Sequence, residues 1–287
     1  MRLWDYHTHN LRCNHAQGSI LDYVKSAINK NFIELGVSDH APGDILPTLP
    51  QFENYKHFSM SIKDFPEYIR EVYFLKDKFK SQIKIRCSTE ISFSSFEDLK
   101  IQKKTLEPYL EKFDYIIGGI HIMQWEGVNP WSFNIPHQSK YNLETYGANK
   151  INLEYYKMLK EMVKSNFIDI VAHFDNVKYM YAPDEPFYTE EVWQIIYDVL
   201  DIIEKTGKVV EINTSGTLKG LSNHFPSDEI VKELIQRKIP LTLSSDAHKP
   251  EQVGFMFENF ITKAKKWNLT ELYQFKKREK YPVKFHS

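Results

Sequence analysis

The chain has 287 residues, 42% hydrophobic and 14% aromatic, with 37 basic against 38 acidic side chains. That is enough apolar material for a sizeable core, and it argues against a disordered chain. A net charge of −1 provides no basic excess for a nucleic-acid groove, and no run approaches the roughly 20 apolar residues of a membrane helix.

The opening Met1-Arg2-Leu3-Trp4-Asp5 has no apolar leader core. Two cysteines, Cys13 and Cys87, make no disulfide framework, so a reducing cytoplasm is the expected compartment. Cys13 lies near His15, but no second cysteine is close enough to suggest a structural zinc site, and it reads as a bystander. One domain over 1–287 is expected, because no linker, repeat or low-complexity run divides the chain.

Short apolar runs alternate with longer periodic segments. Strands are expected over 3–9, 32–38, 83–90, 115–121, 168–173, 209–213 and 241–245. Helices are expected over 20–31, 65–79, 143–165, 190–205, 228–237 and 251–265, with a less regular pattern over 96–109. Two stretches read as long loops, 41–63 with Pro42, Pro47 and Pro50, and 123–142 with Trp125 and Trp131. Long loops in a compact domain often serve as lids or binding loops. Strand–helix alternation implies parallel strands with helical crossovers.

The position of the metal-capable residues is informative. In Asp5-Tyr6-His7-Thr8-His9, a strand places Asp5, His7 and His9 on one face and Tyr6 and Thr8 on the other. His15 follows in the next loop. The later strands end in or near His40, Glu90, His121, His173, Glu211 and the Asp246–His248 pair. Any one of these alone is an ordinary strand-end polar residue. In a barrel of parallel strands all such ends meet at one face, where active sites lie. His57, His137, His224 and His286 fall outside this pattern and read as structural.

Seven imidazoles with Glu90 and Asp246 suit Zn, Mn or Fe rather than calcium. Nine donors exceed the needs of one ion, so two or three ions are implied, with Glu90 able to bridge. Paired ions lower the pKa of a water and clamp attacking and leaving oxygens, which suits phosphoester hydrolysis.

These motifs, with Ser38-Asp39-His40-Ala41-Pro42, Gly119-Ile120-His121, Ala172-His173-Phe174-Asp175 and Ser245-Asp246-Ala247-His248, resemble the polymerase-and-histidinol-phosphatase (PHP) superfamily. Length and Glu211-Ile212-Asn213-Thr214-Ser215-Gly216 make the chain most similar to its histidinol-phosphate phosphatases. The resemblance implies a distorted seven-stranded (β/α) barrel, an α/β fold with its active site at the C-terminal strand ends. It implies a trinuclear centre: one ion on His7, His9, Glu90 and Asp246, a second on Glu90, His121 and His173, and a third on His15, His40 and His248. It implies cytoplasmic hydrolysis of L-histidinol phosphate in histidine biosynthesis, with Glu90, Asp246 and His248 as catalytic residues. Arg12, Lys178 and Lys219 are candidate phosphate contacts, the latter two standing where the family leads one to expect arginine. Asp175 and Glu211 are candidates for the substrate amine, and Trp125 and Trp131 for covering its imidazole. The alternatives are a related phosphatase acting on nucleotide or sugar phosphates, and a non-catalytic PHP module. The expected partner is a small phosphomonoester, with no nucleic acid and no membrane.

Overall fold

Parallel strands joined by helical crossovers form most of the protein, as the alternation predicts. The structure is a computed structural model, and it describes residues 3–46, 58–181 and 188–284. His57 and His286, with Pro47 and Pro50, lie outside the described residues.

The strands do not form one seven-stranded sheet. A three-stranded parallel sheet contains β1 (Trp4–Asp5), β2 (Glu34–Val37) and β3 (Lys84–Cys87). A five-stranded parallel sheet uses β4 (Glu90–Ser92), β5 (Ile117–Gly119), β8 (Ile170–Val171), β9 (Val209–Asn213) and β10 (Leu241–Ser244), in the order β10-β9-β8-β5-β4. Isolated parallel bridges link the sheets at both edges, Thr8 to Ala247 and His40 to Glu90. The expected strand over 83–90 is therefore two strands. At Ser88-Thr89 the chain changes partner: Ser88 N–H donates to the Val37 carbonyl (2.9 Å), while the Thr89 carbonyl accepts from Ile117 N–H (3.0 Å).

The stretch 123–142, expected as a loop, is ordered. It forms an antiparallel hairpin of β6 (Met123–Trp125) and β7 (Val128–Trp131) and then enters a long helix, Pro136–Lys164. That helix begins before the expected 143 because Pro136 is tolerated in its first turn, and Gly147 (φ 75°, ψ 157°) kinks it. At the other end of the chain, the expected helix over 251–265 starts late, at Phe257. Gly254 and Met256 both have positive φ and interrupt its start.

Helix α1 (Ile20–Asn29) starts on a reciprocal cap, the Ser19 hydroxyl accepting from Asp22 N–H and the Asp22 carboxylate accepting from Ser19 N–H. A C-terminal hairpin, β11 (Glu271–Lys276) and β12 (Glu279–Lys284), has no counterpart among the expected elements. Its turn residues Lys277 and Arg278 both take positive φ without the Asn-Gly sequence that usually signals such a turn.

This hairpin packs under the N-terminal ends of the strands. Phe275 meets the rings of Tyr6 and Tyr115, at 6.2 and 5.6 Å between centroids. Tyr6 thus lies in the core, on the face opposite the histidines, as the strand alternation requires. Its hydroxyl accepts from Phe275 N–H (3.0 Å) and bonds to Glu34. Glu34 in turn holds Arg86 through two bonds, Oε1 to Nε at 2.7 Å and Oε2 to a terminal guanidinium nitrogen at 2.9 Å. Both partners are buried.

Removing one partner of such a pair leaves an uncompensated buried charge and costs about 3–5 kcal/mol. Arg86→Met should lower the unfolding free energy in urea by that amount, and Glu34→Gln/Arg86→Met should recover part of it. A single-variant loss under about 1 kcal/mol would show that the pair does not support the core.

Candidate metal centre

The strand ends bring all nine predicted donors to one place. Glu90, the first residue of β4, lies at the centre with only 1% of its surface exposed. Its Oε2 faces His7 Nε2 (3.3 Å), His40 Nδ1 (2.9 Å) and His9 Nε2 (3.8 Å). Its Oε1 faces His173 Nε2 (3.1 Å) and His121 Nε2 (3.4 Å). Asp246 Oδ1 completes one side, 3.0 Å from His9 Nε2 and 3.7 Å from His7 Nε2.

These spacings fit a metal. Bonds of about 2.0–2.1 Å in tetrahedral geometry place donor atoms about 3.3 Å apart. His121 Nε2 and His173 Nε2 lie 3.2 Å apart, two ring nitrogens aimed at one point with Glu90 Oε1. His7 Nε2 and Glu90 Oε2 are buried and make no hydrogen bond among the described residues. A buried polar atom without a partner is costly, and a shared cation would satisfy both. The groups His7–His9–Asp246 and Glu90–His121–His173 each gather within 4.8 Å; the second is the expected second set in full, and the first is the expected first set without Glu90. In the third region His40 and His248 gather with His9, while the His15 ring lies 5.3 Å from His40 and 4.9 Å from His248.

Neighbouring groups set the direction of each donor. Glu211 accepts from His7 Nδ1–H (2.9 Å), which leaves Nε2 pointing at the cluster. It also accepts from His173 N–H and the Asn213 side chain, each at 2.8 Å. Asp39 holds His9 Nδ1 (3.3 Å), and the Ser92 hydroxyl lies 3.2 Å from His121 Nδ1. His248 Nδ1–H donates to the Asp246 carbonyl (2.9 Å). The backbone is strained here: His173 and Asp246 both have positive φ, 23° and 52°. Gly119 has no room for a side chain, since a Cβ would stand 2.7 Å from His173 Cε1 and 2.9 Å from Glu90 Oε1.

The electrostatics suit cation binding. Burial would raise the Glu90 carboxyl, but His7, His121 and His40 hold it well below the usual range. Asp246 is likewise held low against its burial, chiefly by Lys219 and His7. Burial drives His121 and His248 well below the ordinary imidazole range, toward the neutral form that ligates metals.

The other candidate residues divide. Lys219 reaches the cluster, its Nζ 3.2 Å from Asp246 Oδ2. Arg12 does not face the cluster; it pairs with Glu71 at 2.7 Å in a separate surface pocket shared with Asp64 and Glu67. Lys178 is buried against Asp175 Oδ2 (3.0 Å) and the His224 carbonyl (2.7 Å). Asp175 is fully buried, accepting also from Tyr188 O–H (3.1 Å) and Ser227 N–H (2.8 Å). Glu211, considered for the substrate amine, has both oxygens engaged with His7, His173 and Asn213. Trp125 packs against Trp131 and Tyr146 (6.1 and 5.2 Å between centroids), away from the pocket beside the cluster. That pocket is lined instead by Phe58, Leu46, Ile122, Ser132 and Asn134, among others. Cys13 Sγ stands near His9 and Asp39; burial raises its thiol, and the S–H donates to the Asn10 carbonyl (3.2 Å). Asp39 and Gly119 sit inside the motifs that carry the donors, yet no periodicity or spacing marks their own roles.

Parallel strands that converge histidines and carboxylates on one buried cluster define an α/β protein with a candidate metal centre. The PHP domain model matches residues 5–215, and the chain belongs to that family. It is 26% identical over 261 residues to the probable histidinol-phosphatase of Deinococcus radiodurans, covering 90% of this chain and 91% of that one. It is 26% identical to the histidinol-phosphatase of Bacillus subtilis over 270 residues, covering 91% and 99%. The crystal structure of histidinol phosphate phosphatase from Lactococcus lactis, complexed with zinc, L-histidinol and phosphate, superposes with a TM-score of 0.71 at 20% identity, over 98% of this chain and 99% of that one. That likeness supports the α/β fold with parallel sheets.

Two variants test how the donors are held. Glu211→Gln should weaken zinc retention about 10- to 100-fold, by analogy with other outer-shell changes, while circular dichroism stays unchanged; unaltered zinc content after dialysis against chelator would refute the orienting role. Gly119→Ala should release metal from the Glu90–His121–His173 group in the same assay. Full occupancy there would mean that the close backbone approach is unimportant.

Proposed function

We propose that this chain is a metal-dependent phosphomonoesterase that hydrolyses L-histidinol phosphate to L-histidinol and phosphate. The observation that carries this reading is the gathering of eight of the nine predicted donors in close groups about Glu90 and His9, in a family member whose relatives over nearly the whole length are named for that activity. The full chain, 1–287, acts as one domain. The two bridged sheets wrap as a distorted barrel in which β3 and β4 together make one stave. Three divalent ions, of zinc, manganese or iron, would be held by His7, His9, Glu90 and Asp246; by Glu90, His121 and His173; and by His15, His40 and His248. Bound there, the ions supply Lewis acidity and lower the pKa of water.

The residues of the chain do the rest. Glu211 and Asp39 keep the Nε2 atoms of His7 and His9 turned inward. Lys219 adds a cation beside the cluster, where phosphate oxygens would bind. His248 has its Nδ1 proton on the Asp246 carbonyl, so it is poorly placed to give one to a leaving alkoxide. Asp246 Oδ2 accepts from Lys219 Nζ (3.2 Å) and the Ser215 hydroxyl (3.1 Å) and is held ionised, so it would pass on to the alkoxide a proton taken from water rather than store one. The pocket wall of Phe58, Leu46 and Ile122 offers apolar surface for the imidazole end of the substrate. No helix among the described residues is long and apolar enough to cross a membrane, and Cys13 and Cys87 are unpaired, which supports a cytoplasmic site of action.

Phosphate release from zinc- or manganese-loaded protein should favour L-histidinol phosphate over nucleotides, sugar phosphates and an aryl phosphate in kcat/KM. Chelation should abolish turnover, and re-addition of metal should restore it. Better turnover of a nucleotide or sugar phosphate would keep the chemistry and discard the substrate. Glu90→Gln should abolish turnover with the fold intact, and activity in that variant would exclude Glu90 as the bridging carboxylate.

A further inference from the structure

The pocket beside the metal cluster holds one acceptor that the protein leaves unused. Its lining joins Glu90 and His121 of the cluster to the apolar side chains of Leu46, Phe58 and Ile122. The hydroxyls along it are engaged within the protein. Ser132 O–H donates to the His121 carbonyl (2.8 Å), the Ser59 hydroxyl accepts from Gly43 N–H (2.9 Å), and the Ser92 hydroxyl lies 3.2 Å from His121 Nδ1.

Gln102 differs. It belongs to helix Phe96–Leu106, and only 1% of its surface is exposed. Its amide has one orientation. Nε2 donates to the Ser92 carbonyl (3.0 Å) and, one turn back in its own helix, to the Asp98 carbonyl (3.4 Å). Two carbonyl acceptors require the nitrogen on that side, since an amide oxygen has no proton to give them. Oε1 is left on the other side, with no donor among the described residues, and it is not sealed from solvent. Gln102 lines the pocket, so this oxygen is an acceptor of fixed direction beside an apolar surface.

An acceptor so placed selects for a donor. Apolar walls discriminate weakly between rings of similar size, whereas a fixed polar atom penalises a ring that cannot bond to it. An imidazole carries at least one N–H whether neutral or protonated. We propose that Gln102 determines specificity, its Oε1 accepting a hydrogen bond from the N–H of a substrate imidazole that lies against Leu46, Phe58 and Ile122. The inference rests on the substrate reading given above and adds to it the atom that tells an imidazole from another ring. The competing role for Gln102 is structural, because it holds the Ser92 carbonyl while the Ser92 hydroxyl faces His121 Nδ1.

A pair of substrates separates the two roles. L-histidinol phosphate and L-phenylalaninol phosphate differ at the ring, and the phenyl ring has no N–H. Metal-loaded, unaltered protein should favour the imidazole ester about 10- to 100-fold in kcat/KM, the cost of one unmade hydrogen bond in a closed site. In Gln102→Met that ratio should fall to near one. Damage passed through Ser92 to His121 would instead slow both esters alike and keep the ratio, and that result overturns the proposal. Equal turnover of the two esters by the unaltered protein also overturns it, while the substrate reading stands if both are preferred to nucleotides and sugar phosphates. No turnover of L-histidinol phosphate would overturn the substrate reading and this inference with it. Should Gln102→Met fail to fold, crystals of the unaltered protein with zinc and L-histidinol decide the matter. A ring nitrogen within about 3.2 Å of Gln102 Oε1 supports the assignment, and a ring bound without that contact refutes it.

Discussion

A single buried carboxylate organises this protein. Glu90 is almost wholly removed from water, a position that costs an isolated charge several kcal/mol. It is tolerable because His7, His9, His40, His121 and His173 surround it, gathered from four parts of the chain. His7 and His9 follow the first strand, and the others follow three later ones. Satisfying Glu90 therefore requires both sheets to be in place, and its own backbone lies at the junction where the chain leaves one sheet for the other.

The rest of the scaffold keeps that convergence rigid. Below the cluster, Tyr6, Glu34 and Arg86 tie the first three strands together, and the Tyr115 hydroxyl donates to the Tyr6 carbonyl (2.6 Å). Tyr68 O–H reaches the carbonyls of Val37 and Ser88 at 2.9 and 2.8 Å, where the chain changes sheets. Around the cluster, Glu211, Asp39 and Ser92 hold the outer ring nitrogens of His7, His9 and His121, so each of these imidazoles has one direction left. Such a frame can sustain the strain at His173 and Asp246, which turns two donors inward that regular strands would not deliver.

The cluster was readable in one dimension because strand ends are readable. Histidine and aspartate are uncommon strand residues, so their placement at the close of one apolar run after another marked a shared face. The substrate side was less readable. Arg12 is next to the cluster in sequence, yet its side chain turns outward to Glu71. Asp175 and Lys178 are three residues apart and pair with each other. Loops and short helical turns set those directions, and no periodicity records them. The hairpin over 271–284 has no local sequence signal either, because Lys277-Arg278 lacks the glycine that usually announces its turn.

By itself the sequence determined the alternation of elements, the buried and exposed faces of the first strand, and the identity of the donors at the strand ends. These follow from local rules of period and propensity, which each segment obeys on its own. Tertiary structure alone decided that the strands divide into two bridged sheets, that Glu90 stands at the junction, and that Glu211 faces His7 across 204 positions of sequence. Those outcomes depend on packing between segments distant along the chain, and on the need to leave no buried charge without a partner.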